Sequence, residues 1–244
     1  MSKGVHALAA RLAPMAVIAV IAAAAAPMLA QPLPADFAER ADKAPIKIAV
    51  PPDAVGGWSP RPLIIALHGE GSEPADIFPA FRALASRVGA VLAVPQAVDP
   101  AGNGFSWDTP AKADFIVLRA IGQARRRAPV DRGRIVLAGF SQGASMTYHV
   151  ALRHPDLFKG VMPIAGVYDQ ERTPIPLPPP KQWPRFAILC GGEDRLVDES
   201  RRAATLLEEA GAPVTIRILE GVGHRLLQKS DLDELRLALE ALLR

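Results

Sequence analysis

Residues 135–143 read I-V-L-A-G-F-S-Q-G. A β-type apolar run ends in a serine, Ser141, held between two glycines, and a helix-like segment follows. The pattern G-x-S-x-G places a serine on a sharp strand-to-helix turn, where its hydroxyl is exposed. Side chains two residues before or after it would collide in so tight a turn, which accounts for Gly139 and Gly143. The helix N-terminus beneath the serine favours negative charge as it develops. A serine that merely caps a helix is the alternative. The apolar strand before and the helix after are the context that a nucleophile motif requires.

A serine hydroxyl needs a base to take its proton. The chain has five histidines. His6 lies in the N-terminal segment. His149 and His154 lie on or at the end of the helix after Ser141 and are expected to point away from it. His68 ends an earlier strand. His224, in G-V-G-H, follows the last strand and precedes the last helix. The chain order serine, acid, histidine is the one this strand–turn–helix arrangement uses. The acid should orient the imidazole and stabilise its charged form. C-G-G-E-D-R-L-V-D, residues 190–198, offers three carboxylates at a strand end: Asp194 is the first choice and Asp198 the second, with Glu193 read as a solvated loop charge. Attack on a carbonyl also needs two preplaced donors for the oxyanion. The backbone N–H of Gln142 is one candidate. The N–H of Glu70 in L-H-G-E-G is the other, with Gly69 and Gly71 letting that loop bend inward. His68 then buttresses the loop.

These residues must be carried by a scaffold, and the hydrophobic pattern supplies one. Strands are expected at Ile46–Val50, Leu63–Leu67, Ala90–Val94, Arg134–Ala138, Gly160–Ile164, Phe186–Leu189 and Val214–Leu219. Helices are expected at Ser72–Val88, Ala111–Arg127, Gln142–Arg153, Glu199–Ala210 and Leu232–Leu243, the last capped by Ser230 with Asp233 three residues on. Alternation of this kind means an α/β fold with a mainly parallel sheet covered on both faces. The Pro-rich segment 173–184 reads as a stiff connector or as a wall of the pocket, with Trp183 as a possible lining residue. Trp107 is a second candidate for the pocket or a structural tryptophan.

Half of the 244 residues are apolar, enough for one sizeable core. Lys and Arg number 28 against 25 Asp and Glu, with no broad basic face, so a nucleic-acid role is not expected. Residues 1–30 start positive at Lys3 and Arg11, continue apolar and end in Ala30, the pattern of a cleaved secretory signal. The expectation is a signal peptide over 1–30, a linker over 31–44, a catalytic domain over 45–244, and a secreted or periplasmic product without stable membrane insertion. Retention of residues 12–30 as an anchor is the alternative. Cys190 is the only cysteine and closes an apolar run, so it reads as a buried small hydrophobe.

L-H-G-E-G, S-W-D at 106–108, G-F-S-Q-G, the G-x-x-D-x-x-V spacing from Gly191 to Val197, and G-V-G-H follow in this order between Arg61 and Leu226. Together they resemble the α/β-hydrolase superfamily, and within it the phospholipase/carboxylesterase group that includes acyl-protein thioesterases. The resemblance implies an α/β-hydrolase fold without a large cap domain. It implies a catalytic Ser141, Asp194 and His224, oxyanion N–H groups from Glu70 and Gln142, no cofactor and no metal, and cleavage of carboxylic esters or thioesters. Relatives often carry an apolar residue where this chain has Glu70, which points away from long greasy acyl chains. Small-molecule or polymeric esters fit, as do secreted polyester depolymerases, feruloyl-type esterases or a small peptidase or amidase. A non-catalytic binding protein on the same scaffold is the rival from another class.

Overall fold

Alternating apolar and amphipathic runs leave each strand needing cover on both faces, and the chain supplies it in sequence order. The computed structural model describes residues 33–52, 59–226, 228 and 231–244, of which Leu33–Arg244 make one compact unit. The expected signal over 1–30 and the expected Ser230 cap lie outside the described residues. The elements are α1 (Phe37–Lys43), β1 (Ile46–Ala49), β2 (Arg61–Leu67), α2 (Pro74–Arg87), β3 (Val91–Pro95), β4 (Asp99–Ala101), β5 (Gly104–Ser106), α3 (Pro110–Arg127), β6 (Val130–Phe140), α4 (Gln142–Arg153), β7 (Gly160–Ile164), β8 (Arg185–Gly191), α5 (Val197–Glu209), β9 (Val214–Leu219) and α6 (Leu232–Leu243).

Seven strands form one sheet in the order β1-β3-β2-β6-β7-β8-β9, and β4 and β5 form a separate hairpin. Only β1 runs antiparallel within the large sheet, against β3. Chain order runs outward from β2 to β3 on one side and from β6 to β9 on the other. The switch point therefore falls between β2 and β6, where a crevice opens beyond the strand C-termini. The loops that follow these two strands carry Glu70 and Ser141.

The strands are buried on both faces, as a parallel sheet requires. On β2, Leu63, Ile65 and Leu67 face one core with α1, α3, α4 and α5 residues such as Phe37, Ile116, Tyr148 and Leu207. Ile64 and Ala66 face the other core, with Phe81 of α2 and Leu239 of α6. Each such large apolar side chain contributes about 1.5–3 kcal/mol on burial. Local signals agree with the packing. Pro74 opens α2, and the side chains of Glu73 and Asp76 reciprocally bond backbone N–H groups as a capping box.

Two features differ from the expectation drawn from sequence. Residues 37–43 form a helix within the segment expected to be a linker. Its Phe37 and Ala41 are fully buried four residues apart on one face, and Phe37 meets Phe115 edge-on with centroids 5.4 Å apart. Arg119 Nη1 donates to Ala44 O at 2.9 Å and fastens the end of that helix to α3. The β4–β5 hairpin is the second. It is too short to show a periodic signal, and Phe105 backbone bonds to Gly71 and Ser72 tie it to the loop after β2.

Candidate active site

Ser141 sits between β6 and α4 with φ 54° and ψ −119°. A non-glycine residue held in so sparse a region costs on the order of 1–3 kcal/mol, borne only when its surroundings fix it. Here the Ser141 N–H donates to Ile164 O of β7 at 2.9 Å. The flanking glycines are required by close approach. A Cβ on Gly139 would lie 2.5 Å from Gly143 O, and one on Gly143 would lie 2.5 Å from Leu67 O. The start of α4 is thereby pressed against the end of β2.

The loops after β8 and β9 bring the next two residues to the serine. Gly192 N–H donates to Leu219 O at 2.7 Å and Glu193 N–H to Val222 O at 3.0 Å. Any Cβ on Gly191 would collide with the Val222 carbonyl, so the two loops lie flush only with glycine there. Across this seam His224 Nδ1 lies 2.8 Å from Asp194 Oδ2, and His224 Nε2 lies 2.9 Å from Ser141 Oγ. A carboxylate can only accept here, so Nδ1 carries the proton and Nε2 accepts the serine O–H. Asp194 Oδ1 takes the Leu196 N–H at 2.8 Å, and its side chain has no exposed surface. The Phe140 ring stacks on His224 with centroids 5.2 Å apart and limits its tilt.

Of the three carboxylates offered by 190–198, only Asp194 reaches the histidine. Asp198 stands in the first turn of α5, 88% exposed, paired with Arg201 at 2.9 Å. Glu193 is exposed. Cys190 is fully buried, and burial raises its thiol pKa, which leaves it unreactive.

His68 takes the buttressing place expected for it. Its Nε2 accepts the Ala97 N–H at 3.1 Å, which leaves Nδ1–H to donate to Gly69 O at 2.8 Å. Burial lowers its pKa, so the ring stays neutral. Trp107 Nε1–H donates to His68 O at 2.8 Å, and the Trp107 backbone N–H donates to Gln142 Oε1, also at 2.8 Å. The loop after β2, the hairpin and α4 are thus bonded into one frame. Within it the Gln142 N–H, first in α4, has no intrahelical acceptor. Among the described residues the Glu70 N–H has none either. Both are free to hold an oxyanion.

Two cavities flank the serine, and Glu70 borders both. One, of about 450 Å³, contains Ser141 and His224 with Phe140, Ile77, Leu226 and Arg195. The other, of about 400 Å³, lies along α4 and is lined by Gln142, Ser145, Met146, His149, Asp169 and Arg172, with Trp107 and Asp108 closing one side. Trp107 therefore meets both expectations, since it is 2% exposed yet borders the cavity. Trp183 does not line either cavity. It precedes β8, at the N-terminal edge of the sheet, where it packs on the core with Nε1 near Gly211. The Pro-rich segment lines neither cavity, and its first residue, Thr173, backs the wall of the second through Oγ1, 2.6 Å from His149 Nδ1. His154 does face away, toward Asp114 at 3.5 Å, but His149 turns into the cavity beside the serine. The sequence carried that signal unread: Gln142, Ser145, Met146 and His149 follow the helical spacing i, i+3, i+4, i+7.

Among the described residues no group of three or more His, Cys, Asp or Glu side chains could hold a metal, and no helix is long and apolar enough to cross a membrane. The model of the phospholipase/carboxylesterase family matches residues 113–238, more than half of the chain. The putative esterase NocK of Nocardia uniformis subsp. tsuyamanensis is 32% identical over 139 residues, covering 52% of this chain and 37% of that protein. Esterase YpfH of Escherichia coli (strain K12) is 28% identical over 204 residues, covering 71% of this chain and 82% of that protein. The chain thus spans well under half of NocK and most of YpfH. Among solved structures, that of esterase PE8 superposes with a TM-score of 0.65 at 20% identity, over 82% of this chain and 99% of that one. A carboxylesterase from Mesorhizobium loti gives 0.63 at 22% identity, over 86% and 98%. The fold is that of these esterases, with the same mainly parallel sheet between helices. By its match over residues 113–238, the chain belongs to the phospholipase/carboxylesterase family of α/β-hydrolases.

Proposed function

We propose that the protein is an exported serine hydrolase that cleaves carboxylic esters through Ser141, His224 and Asp194. The observation that carries this reading is the hydrogen-bonded run from Ser141 Oγ through His224 to the buried Asp194, at the switch point of the sheet. The names of NocK and YpfH, both esterases, support the reaction class. The charge and hydropathy pattern of residues 1–30 supports export.

The substrate carbonyl sits over Ser141, with its oxygen toward the Glu70 and Gln142 N–H groups. As Oγ bonds to the carbonyl carbon, its proton moves to His224 Nε2. Asp194 holds the ring in the correct tautomer and stabilises the imidazolium. The negative charge that develops on the carbonyl oxygen is met by two fixed donors at the start of α4 and in the His68-braced loop. His224 then gives its proton to the departing alcohol as the C–O bond breaks, leaving an acyl-serine. Water repeats the cycle, with its proton taken by His224, and releases the acid.

Hydrolysis of p-nitrophenyl acetate and p-nitrophenyl octanoate, with Ser141→Ala as the baseline, tests the reading. Wild type should exceed the variant by on the order of a thousandfold or more. Acetate should be the better substrate, because Glu70 and the polar groups along α4 disfavour a long apolar acyl chain. Equal rates for wild type and variant would leave a binding scaffold in place of an enzyme. Intact mass of exported material should begin near residue 31, and a mass that retains residues 12–30 would replace secretion with anchoring.

A further inference from the structure

The cavity along α4 holds a histidine that the proposed reaction does not use. His149 is 1% exposed, and its ring forms part of the cavity wall. Nδ1 is taken by Thr173 Oγ1 at 2.6 Å, whereas Nε2 has no partner among the described residues. Nε2 is not sealed in the core but opens on the cavity, so it can bond whatever polar group enters there. Burial lowers the pKa of the ring to about 4, so it is neutral at neutral pH. A neutral imidazole nitrogen pairs well with a hydroxyl, which can give or accept a hydrogen bond.

The surroundings select among ligands. Asp169 pairs with Arg172 at 3.3 Å, and Asp108 pairs at 2.8 Å with Lys112, which also holds Asp99 at 2.9 Å, so these two carboxylates along the cavity each have a cation beside them. Glu70 stands at the near end, beside the serine. A carboxylate on the ligand would meet excess acid there, and a purely apolar chain would cover these polar groups without bonding to them. Direction follows from the chemistry. The departing alcohol oxygen must reach His224 Nε2, so the alcohol occupies the cavity that His224 lines. The acyl group then turns past Gln142 into the other. At 1.5 Å per residue along α4, His149 lies roughly 12 Å from Ser141, within reach of a short acyl chain.

We propose that the cavity along α4 receives a short, uncharged acyl group that bears a hydroxyl, and that His149 Nε2 binds this hydroxyl. The proposal rests on the esterase reading above for its direction, and its test separates the two.

Ethyl 6-hydroxyhexanoate and ethyl hexanoate differ by one hydroxyl and share a leaving group. Wild type should favour the hydroxy ester by about tenfold in kcat/KM, the discrimination one satisfied hydrogen bond supports. His149→Phe should bring that ratio to one or below, chiefly through KM. His149→Gln, whose amide can reach the same place, should restore part of it. An equal ratio in all three proteins overturns the proposal, as does a preference for ethyl 6-aminohexanoate or for monoethyl adipate. The same two hexanoate esters are then titrated calorimetrically into full-length Ser141→Ala, which needs no turnover. Tighter binding of the hydroxy ester, weakened by adding His149→Phe, upholds the subsite. Equal or absent binding overturns it even if wild type is an active esterase. Retained binding preference with no turnover in wild type upholds the subsite and sinks the esterase reading.

Discussion

The loop after β2 and the loop after β9 each bring a histidine to the neighbourhood of Ser141, and the two are put to opposite uses. At His68 both ring nitrogens are consumed by backbone groups, Gly69 O and Ala97 N–H, and the ring is fully buried. It cannot take a proton without breaking a bond that holds the loop. At His224 one nitrogen is fixed by a buried carboxylate while the other faces the serine hydroxyl, and the side chain is 26% exposed. A histidine serves as a base when one nitrogen is anchored and the other is left to the reacting proton. Nearness to the nucleophile alone does not make it one.

The contrast is broken most severely at the proton carrier itself. His224→Ala should lower kcat/KM by on the order of a thousandfold or more, and Asp194→Asn by about as much, because an amide beside Nδ1 favours the wrong tautomer. His68→Gln should instead cost about tenfold or less in kcat/KM and lower the melting temperature by several degrees, as expected for a lost buried hydrogen bond of about 1–3 kcal/mol. If steady-state kinetics show the two histidine variants equally impaired, the division of labour drawn here is wrong.

Next comes the close approach that holds the start of α4 against the end of β2. Gly143→Ala places a Cβ 2.5 Å from Leu67 O, and overpacking against backbone should destabilise the protein by about 1–3 kcal/mol in a denaturant titration. An unchanged midpoint would show that α4 can retreat from β2.

A gentler probe is pH. His149 has a pKa of about 4 in the folded protein against 6.5 in the unfolded chain. As pH falls below 6.5 the unfolded chain takes up the proton first, so the folded state loses stability between pH 6.5 and about 4, after which the loss levels off. The full effect is on the order of 3 kcal/mol. Burial dominates; Asp169 nearby favours the charged ring, whereas Arg172 and Arg153 oppose it. His68 is shifted in the same direction. His149→Gln should therefore melt with a shallower dependence on pH across this window, and parallel curves would refute the assignment. The smallest change is expected at the carboxylate that the structure set aside. Asp198→Asn removes an exposed pair with Arg201 and should alter kcat/KM by less than about twofold.

The sequence alone determined the alternation of strands and helices, the serine between its glycines, and the chain order of serine, acid and histidine. These are local or ordered signals, carried by a period of two or of 3.6 and by residues that a tight turn demands. It did not reveal α1, because a seven-residue helix held by Phe37 and Ala41 has too few turns to show a face. It ranked Asp194 ahead of Asp198 but could not show the contact, since both follow the same strand, and only the seam between the β8 and β9 loops aims Asp194 at His224. The sequence left the Pro-rich segment open between a connector and a pocket wall with Trp183 as a possible lining residue; Trp183 lines neither cavity, because it stands just before β8, at the N-terminal end of that strand. The spacing that puts His149 on the same face of α4 as Gln142 was present in the sequence, yet its meaning depended on the segment from Asp169 to Thr173 folding over that face to close a cavity. Tertiary structure decided what each polar group faces, because loops far apart in the chain meet only where strand order reverses, and burial and partner choice are set at that meeting.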